Sequence, residues 1–349
     1  MINILLTSAG RRSYIVDYFK KCDGVGQVHA SNSNYTIALK RADGYFISPL
    51  IYSDDYIPSL INYCQRNGIT AVISLFDIDL WVLAKNKQLF SNAGIHVVLA
   101  PASFVEICND KWHTFQFIQS LGLQTPRTYL HVDDVLAAIT RKEVSYPIIM
   151  KPRWGMASMG IYKVENEQEL RVFTEKCKRD IFNSYLKYES SLTGNEPIVY
   201  QEVMCGEEYG LDVLNDLNGN YLATFAKQKV TMRSGETDLG RTASSEPFRE
   251  VSCKIACASH HEGILSVDCF KTGKGIFVIE MNCRISGHYP LSYIAGFNYP
   301  QLLVDWLNGK PTSEDLLKFK ENLFIIKDLV PMLLYDKEIP NGKDGASSK

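Results

Sequence analysis

Short apolar runs alternate with helically spaced apolar residues along the first hundred positions of the chain. The run INILLTSA (2–9) predicts a strand, and Tyr14, Ile15, Tyr18 and Phe19 recur at the spacing of one helix face. The same alternation predicts further strands over 28–32, 70–77 and 96–100, and helices over 56–68 and 80–90. Strands separated by helices predict a parallel sheet.

From residue 109 the pattern changes to longer strands with fewer helices between them. Asn109 or Asp110 is placed to cap a helix that ends near Gly122. The following segments predict a strand, a glycine loop and a strand over 146–164, a helix over 166–186, a strand pair over 196–216 broken at Gly206, an antiparallel strand over 219–232 and a hairpin over 263–284. The polar stretch 336–349 is typical of a disordered tail.

Composition narrows the class of protein. The chain has 349 residues, of which 46% are hydrophobic and 22% charged, and these values are typical of a soluble globular protein with two or three compact units. A net charge of −2 argues against a nucleic-acid partner. No apolar run reaches the roughly 18 residues of a membrane span. The first residues do not have the order of a signal peptide, and the nine scattered cysteines indicate reduced thiols, so we expect a cytoplasmic protein.

Two apparent motifs are weak. Gly10 stands alone after the first strand, without the further glycines or the acidic residue of a dinucleotide fingerprint, so a nicotinamide-dependent oxidoreductase is a minor alternative. Cys253, Cys257, His260 and His261 form the one cluster that resembles a metal site. A helix face of small buried residues explains this cluster better, because a second ligand pair is not nearby in the sequence.

The predicted hairpin carries the most informative chemistry. Asp268 lies on its first arm, and Glu280 and Asn282 lie two residues apart on its second arm, on one strand face. These oxygen donors suit Mg²⁺, and Arg284 on the same face suits a phosphate or a carboxylate. Glu280 and Asn282 interrupt an apolar strand, and a buried unpaired carboxylate is costly, so a cation partner explains them better than a solvated edge.

Along the chain, Lys111, Lys151 with its glycine loop, and Gln201 to Glu208 precede these hairpin residues. This order resembles the ATP-grasp superfamily, in particular the stand-alone members related to the large subunit of carbamoyl phosphate synthetase. The resemblance covers roughly residues 1 to 335, and its most specific part is the E-x-N-x-R ending after an acid on the partner strand. It implies a Rossmann-like N-terminal domain over 1–108, a central and lid subdomain over 109–204, a C-terminal subdomain with a metal site over 205–335, and the tail over 336–349.

The resemblance also implies roles for individual residues. Those that would bind ATP are Lys111 and Lys151 at the phosphates, Gly155 and Gly160 in a mobile lid formed by KPRWGMASMG (151–160), Gln201, Glu202 and Met204 at the adenine, and Glu208 at the ribose. Gln201 departs from the family, in which Glu is usual. Asp268, Glu280 and Asn282 would hold two Mg²⁺ ions, with Mn²⁺ as an alternative. Arg284, with Lys229 and Arg233 as further candidates, would contact the reacting groups.

The activity that the resemblance implies is an ATP-dependent carboxylate–amine ligase. ATP would phosphorylate a small carboxylate, and an amine would then form an amide through the acyl phosphate. We expect an amino acid or a peptide as substrate and a homodimer as a possible assembly. Carbamoyl phosphate synthesis is disfavoured, because the synthetase's large subunit has two such units. A non-catalytic ATP-binding sensor is the alternative, although the complete Asp268, Glu280, Asn282 and Arg284 set argues against it.

Overall fold

The computed structural model describes residues 1–155, 159–194, 196–233, 235–328 and 330–334. The predicted tail over 336–349 and residues 156–158, at the centre of the predicted lid, lie outside the described residues. The described chain divides into two compact units. Unit 1 contains Met1–Val98, Pro300–Ser313 and the described residues after Ile326; unit 2 contains Leu99–Tyr299 and Glu314–Ile326.

Unit 1 is built on a parallel sheet. In the part of the chain that the structure describes, its strands are ordered β3-β2-β1-β4-β5. The strands are β1 (Ile2–Thr7), β2 (Val25–Asn32), β3 (Gly44–Ile47), β4 (Ile69–Ser74) and β5 (His96–Val97). The helices are α1 (Ser13–Lys20), α2 (Ile37–Arg41), α3 (Tyr56–Arg66), α4 (Asp77–Lys85) and α5 (Lys87–Asn92). The predicted parallel sheet is confirmed, and apolar residues of the central strand β1 are fully buried.

Hydroxyl groups enclose a buried carboxylate in unit 1. Asp79, on α4, accepts hydrogen bonds from Thr7 Oγ1 at 2.5 Å, Tyr56 Oη at 2.6 Å, Ser74 Oγ at 2.7 Å and Ser8 Oγ at 3.1 Å. These donors come from the ends of β1 and β4 and from α3. Burial raises the pKa of Asp79 although all four hydrogen bonds oppose it.

The single helix predicted over 80–90 is wrong. Two helices, α4 and α5, meet at Asn86, whose backbone leaves the helical region at φ −110° and ψ 10°. The Asn86 side chain donates to the carbonyl oxygen of Val82 at 2.8 Å, so it satisfies a group at the end of α4. Asn86, a polar residue among apolar residues that are spaced as on one helix face, therefore lies where one helix ends and the next begins.

Unit 2 contains two antiparallel sheets. Within the described residues, the smaller sheet is ordered β6-β9-β7-β8 and the larger β14-β13-β10-β11-β12-β15. The smaller consists of β6 (Thr128–Tyr129), β7 (Ile148–Pro152), β8 (Tyr162–Val164) and β9 (Ile198–Glu202). The larger consists of β10 (Glu207–Asn215), β11 (Tyr221–Arg233), β12 (Glu236–Ala243), β13 (Ile264–Thr272), β14 (Gly275–Asn282) and β15 (Phe324–Ile326).

Helices in the rest of the chain include two that pack against the hairpin. Both α6 and α7 contact β14. The helices are α6 (Ala102–Asn109), α7 (Lys111–Ser120), α8 (Val132–Thr140), α9 (Glu167–Phe182), α10 (Lys187–Ser190), α11 (Arg249–Ser259), α12 (Tyr289–Ile294) and α13 (Tyr299–Leu307). Short 3₁₀ turns occupy Ser191–Thr193, Glu246–Phe248 and Glu314–Leu317. As predicted, Asp110 caps α7, because its side chain accepts from the backbone N–H groups of Trp112 and His113.

Several predictions in unit 2 need correction. The strands predicted as a pair over 196–216 do not pair with each other: β9 pairs with β6 and β7, and β10 pairs with β11 and β13. The helix predicted over 166–186 ends at Phe182, and α10 follows. The hairpin is confirmed as β13 and β14. None of the described helices combines the length and apolarity needed to cross a membrane.

Candidate active site

Strand register places acidic and basic side chains on one face of the larger sheet of unit 2. Across β13 and β14, Asp268 lies opposite Glu280, and Ser266 lies opposite Asn282. Directly opposed residues of antiparallel strands project to the same face. Continued across β10 and β11, this register defines the polar face, whose members are Glu208, Asp212, Lys227, Lys229, Ser266, Asp268, Glu280 and Asn282.

Lys229 joins two carboxylates of the polar face. Its Nζ lies 2.7 Å from Glu208 Oε1 and 3.0 Å from Asp268 Oδ2. Burial by itself would raise the pKa of Asp268, but the Lys229 ammonium and His288 outweigh it and hold this pKa well below its usual range. Asp268 is therefore a carboxylate that stays ionised inside the fold.

A second buried group lies beside Asp268. Asp212 and Lys227 form an ion pair with both side chains fully buried. Asp212 also accepts from Ser286 Oγ at 3.2 Å and Ser292 Oγ at 2.5 Å, so it attaches the segment after β14 to the sheet. Because this pair is enclosed and further hydrogen-bonded, its charges have partners in place of water.

His288 lies between the two aspartates of the polar face. Its Nδ1 is 2.8 Å from Ser286 Oγ and 3.6 Å from Asp212 Oδ1, and its Nε2 is 3.6 Å from Asp268 Oδ1. Burial, with Lys227 next in weight, lowers the pKa of His288 to about 4. Gly210 makes room for the ring, because an added Cβ there would lie 2.4 Å from His288 Nε2.

The smaller sheet presents a buried lysine. Lys151 Nζ donates to Gln201 Oε1 at 2.9 Å, and Gln201 Nε2 donates to Thr128 Oγ1 at 3.0 Å. Burial and the nearby Lys111 ammonium lower the pKa of Lys151 to about 8, and the Glu280 carboxylate opposes this shift. Lys111, Lys151 and Glu280 therefore share one electrostatic environment although they belong to a helix and two different sheets.

The start of α7 is attached to the end of β7. Arg153 forms a buried bidentate pair with Asp110, with N–O distances of 2.7 to 2.9 Å. The backbone N–H of Lys111 donates to the Arg153 carbonyl at 3.1 Å, and Lys111 Nζ donates to the Gly155 carbonyl. The lysine predicted to bind phosphates thus lies against the first glycine of the predicted lid.

Gly160, the second predicted lid glycine, has φ +66°, a conformation that few other residues adopt. An added Cβ there would lie 3.0 Å from the ring of Pro152, which ends β7. For Gly155 the corresponding distance to Pro152 is 3.1 Å. Both glycines therefore pack closely against the end of β7.

Some of the predicted site residues are not members of the polar face. Glu202 accepts from the backbone N–H of Arg127 at 3.2 Å, and Met204 lies in the segment between β9 and β10. Arg233 is 71% exposed at the end of β11 and pairs with Asp238 at 3.2 Å. The placement of Arg284 on the strand face of Glu280 and Asn282 is wrong, because β14 ends at Asn282 and the chain bends there.

The cysteine–histidine cluster also differs from its prediction. Cys253 and Cys257 lie on α11, as expected for a helix face, but Cys257 is exposed and Cys253 half-buried. His261 is buried and bonded to Ser259 Oγ at 2.7 Å. The helix buries other residues instead, among them Ile255 and Ala256.

The structure reveals site residues that were not predicted from the sequence. These are Asp110 as the partner of Arg153, and the buried Asp212–Lys227 pair. One signal for the pair was available: Asp212 and Lys227 each interrupt an apolar strand, as Glu280 does. No signal in the sequence indicated which acid Arg153 would meet, because that depends on the contact between α7 and β7.

The donors on the polar face fit a hard divalent cation. Asp268 Oδ1 is buried and has no hydrogen-bond partner among the described residues, which is costly for an ionised oxygen. Glu280 and Asn282 supply further oxygen atoms on the same face, as Mg²⁺ prefers. Within the described residues, no group of three or more His, Cys, Asp or Glu side chains is arranged to hold a metal, so the set on this face consists of two carboxylates and the Asn282 amide.

The chain is similar to known proteins in sequence and in fold. A family profile described as an ATP-grasp domain matches residues 108–288, just over half of the chain. A second, described as a PylC-like N-terminal domain, matches residues 4–98. The carbamoyl phosphate synthase large chain of Thermoplasma acidophilum is 22% identical over 275 residues, which are 74% of this chain and 26% of that one. The chain thus spans about a quarter of that relative's length.

A shorter relative and two solved structures align along most of the chain. The carbamoyl-phosphate synthase of Methanobrevibacter smithii is 23% identical, covering 94% of this chain and 84% of its own. The L-amino acid ligase of Bacillus licheniformis has a TM-score of 0.69 at 20% identity, covering 90% of this chain and 77% of its own. The biotin carboxylase domain of 2-oxoglutarate carboxylase from Hydrogenobacter thermophilus has a TM-score of 0.68 at 18% identity, covering 92% and 73%. At these identities the structures show a shared fold.

Proposed function

The chain belongs to the ATP-grasp family of ligases, and from that membership we propose that it is an ATP-dependent carboxylate–amine ligase. The observation that carries the proposal is the polar face, on which register places Asp268, Glu280 and Asn282 together. A protein that only bound a nucleotide would not need an ionised carboxylate with one buried oxygen, Oδ1 of Asp268, that lacks a hydrogen-bond partner among the described residues, beside two further oxygen donors.

The proposed reaction has two steps. A carboxylate oxygen of the substrate attacks the γ-phosphorus of ATP, the bond to the bridging β–γ oxygen breaks, and ADP leaves with an acyl phosphate formed. The amine nitrogen then attacks the acyl carbon, the bond to the phosphate oxygen breaks, and the nitrogen releases one proton. The products are an amide, ADP and inorganic phosphate. Such transfers need positioning and charge neutralisation more than a reactive side chain.

In this proposal, different residues of unit 2 contact different parts of ATP and the substrates. Lys111 and Lys151 offset phosphate charge, and a Lys151 pKa of about 8 keeps much of this residue cationic at neutral pH. Gln201, Glu202, Met204 and Glu208 form the proposed adenine and ribose contacts. Arg284, in the bend after β14, is the proposed contact to the reacting groups, with Lys229 and Arg233 as further candidates. Gly155 and Gly160 flank the proposed lid.

The proposed metal ligands are Asp268, Glu280 and Asn282. Mg²⁺ bound there would neutralise triphosphate charge and orient its oxygens. The protein's own contribution is to keep Asp268 ionised through Lys229 and to hold Glu280 opposite it on the neighbouring strand. Both contacts lie within the sheet, which supports a site whose oxygen donors need little rearrangement when a nucleotide binds.

A phosphate-release screen tests the proposal. The protein is incubated with Mg·ATP and a matrix of carboxylates and amines, including amino acids and short peptides, and products are identified by mass spectrometry. We expect phosphate release that requires both substrates of one pair, with an amide mass in the same well. Bicarbonate with ammonia is one pair, so that formation of carbamoyl phosphate would identify that reaction instead. Mg·ATP binding without turnover in any well would support a sensor.

A further inference from the structure

Two buried thiols lie in contact in unit 2. Cys108, in α6, and Cys283, directly after β14, have their Sγ atoms 3.3 Å apart, and the side chains are 5% and 8% exposed. They are 175 positions apart in the chain but adjacent in the fold, because α6 packs against β14. The contact therefore joins two separate elements of unit 2.

The pair lies between residues proposed to bind the nucleotide and the metal. Cys108 precedes Asp110, which caps α7 and holds Arg153, and Lys111 follows at once. Cys283 lies between Asn282 and Arg284. A covalent link between these sulfurs would thus connect the start of α7 with the end of β14.

We propose that Cys108 and Cys283 form a redox modification site, which hydrogen peroxide converts into a disulfide that weakens nucleotide binding. One thiol attacks the peroxide oxygen, the O–O bond breaks, and a sulfenic acid and water form. The second sulfur displaces the hydroxyl as a second water, forming the S–S bond. Overall two thiols and one hydrogen peroxide give one disulfide and two waters, so two electrons pass from sulfur to oxygen. A dithiol reductant reverses the change.

Proximity favours this pair over external partners. The second thiol is already in contact, so a sulfenic acid on either residue is captured before a second peroxide reaches it. Bond formation requires the sulfurs to approach to about 2.05 Å, a movement of roughly 1.3 Å. That movement displaces the segment Asn282–Arg284 relative to α6. The effect on nucleotide binding rests on the proposed function, whereas disulfide formation does not.

Another pair supplies the matched control. Cys253 and Cys257 have Sγ atoms 4.0 Å apart, but they lie one turn apart on α11 and are more exposed. A link between them would not join separate elements. If peroxide simply oxidised accessible thiols, α11 would react first and the buried pair would not.

Peptide mapping of the peroxide-treated wild-type protein tests the site. Cleavage after lysine and arginine releases Cys108 and Cys283 in peptides 88–111 and 275–284, each with one cysteine. After alkylation of remaining thiols, we expect the two peptides joined with loss of two hydrogens, and separate again after reduction. In wild type, the Mg·ATP-induced rise in melting temperature should be lost on oxidation and restored by a reductant. The rise should be retained in oxidised Cys108→Ser and in oxidised Cys283→Ser. It should be lost on oxidation of the Cys253→Ser/Cys257→Ser control, as in wild type.

Three outcomes would overturn the inference. One is oxidation of Cys257 and the exposed Cys205 without a 88–111/275–284 product. Another is a joined product with an unchanged Mg·ATP response, which would remove the regulatory part. The third is a loss of the Mg·ATP response on oxidation of Cys108→Ser and Cys283→Ser that equals the loss in wild type. The two variants are assayed separately, so that either one can serve as the test if the other folds poorly. If reduced wild-type protein shows no Mg·ATP response but the joined peptide forms, the proposed function fails and the thiol site stands.

Discussion

The buried acids of this chain are stabilised in different ways. Lys229 pairs with Asp268, whereas the hydrogen bonds to Asp79 from the described residues come from hydroxyl groups. Their pKa values accordingly move in opposite directions, down for Asp268 and up for Asp79. Burial favours the neutral acid in both, and a neighbouring ammonium decides the outcome.

Glu280 provides a residue-scale test of the metal assignment. Glu280→Gln removes a negative charge without changing size, so we expect a folded protein with roughly 100-fold lower Mg²⁺-dependent phosphate release. Circular dichroism checks the fold and the phosphate assay the rate. Glu250→Gln, which removes an exposed glutamate 2.8 Å from Lys254, should leave the rate unchanged. Normal turnover in Glu280→Gln would show that this carboxylate holds no metal.

Asp79 makes the stability of the fold depend on pH. Its folded-state pKa lies above the ordinary value of 3.8, so the folded chain retains a proton that the unfolded chain releases. The stabilisation is complete below about pH 3.8 and is lost as pH rises through the folded pKa. We expect the free energy of unfolding of wild type, minus that of Asp79→Asn, to fall as pH rises from 4 towards 7. Denaturant titrations at several pH values measure it, and a difference that stays flat contradicts the assignment.

Sequence reasoning found acids that interrupt apolar strands but not their partners. Asp268, Glu280 and Asn282 follow from alternation within one hairpin, which is local. The ion pairs of Lys229 and Arg153 depend on which strands and helices come together. Lys229 is 21 residues from its partner Glu208 in the chain, and Arg153 is 43 residues from its partner Asp110. Arg284 was misplaced because alternation was extended one step beyond the end of β14.

At the scale of elements, β10 has a glycine where the His288 ring packs against it. An alanine Cβ at Gly210 would lie 2.4 Å from His288 Nε2, and the ring is fixed by Ser286, so it has little room to move. We expect Gly210→Ala to lower the free energy of unfolding by about 1–3 kcal/mol through overpacking. Gly273→Ala on the β13–β14 turn is the control, since nothing lies within 4 Å of its added Cβ. Equal stability of the two variants would mean that His288 is not held against β10.

The junction of α7 and β7 depends on a buried ion pair. Asp110→Asn preserves a good N-cap but leaves Arg153 without its bidentate partner, so we expect a loss of about 3–5 kcal/mol. A cycle with Arg153→Met, measured by denaturant unfolding, separates the pair from the cap. Glu143→Gln, which breaks the exposed Arg141 pair, should leave the free energy of unfolding almost unchanged, because water screens that pair. A similarly small cost for Asp110→Asn would show that the buried pair contributes little.

Helices and strands were predicted best where a single period runs unbroken. Four of the five parallel strands of unit 1 and the β13–β14 hairpin follow from local pattern, and so does the Asp110 cap, whereas β3 and α2 were not predicted. The pairing of β9 and β10 did not, because a break at Gly206 looks the same whether the chain turns back or passes to another sheet. Asn86 ended α4 through a side-chain contact that spacing does not report.

At the scale of the whole molecule, the chain order does not follow the division into units. Unit 1 is completed by Pro300–Ser313, where Gln301 Oε1 accepts from the Asp23 N–H at 2.8 Å and Asn308 Nδ2 donates to the Gly24 carbonyl at 3.2 Å. Sequence pattern predicts elements but not which of them share a core when about 200 residues intervene. The three-part division predicted over 1–108, 109–204 and 205–335 remains a prediction.

This division predicts that residues 1–98 are not an independent folding unit. Expressed alone, the fragment lacks the helical segment that hydrogen-bonds to Asp23 and Gly24, so we expect a lower melting temperature and more aggregation than for a fragment fused through a flexible linker to 300–313. Circular dichroism melts compare the two. A fragment 1–98 as stable as the fusion would show that α13 is not needed.

Two parts of unit 1, residues 1–98 and 300–313, are synthesised at different times. Residue 300 leaves the ribosome about 200 residues after β5, which is roughly 10 to 40 s at ordinary elongation rates. During that interval all strands of the parallel sheet have been synthesised but unit 1 still lacks residues 300–313, whereas most of unit 2 emerges and has time to fold. The segment made first would then be among the last to mature, and slower translation of residues 99–299 would lengthen its exposure to chaperones.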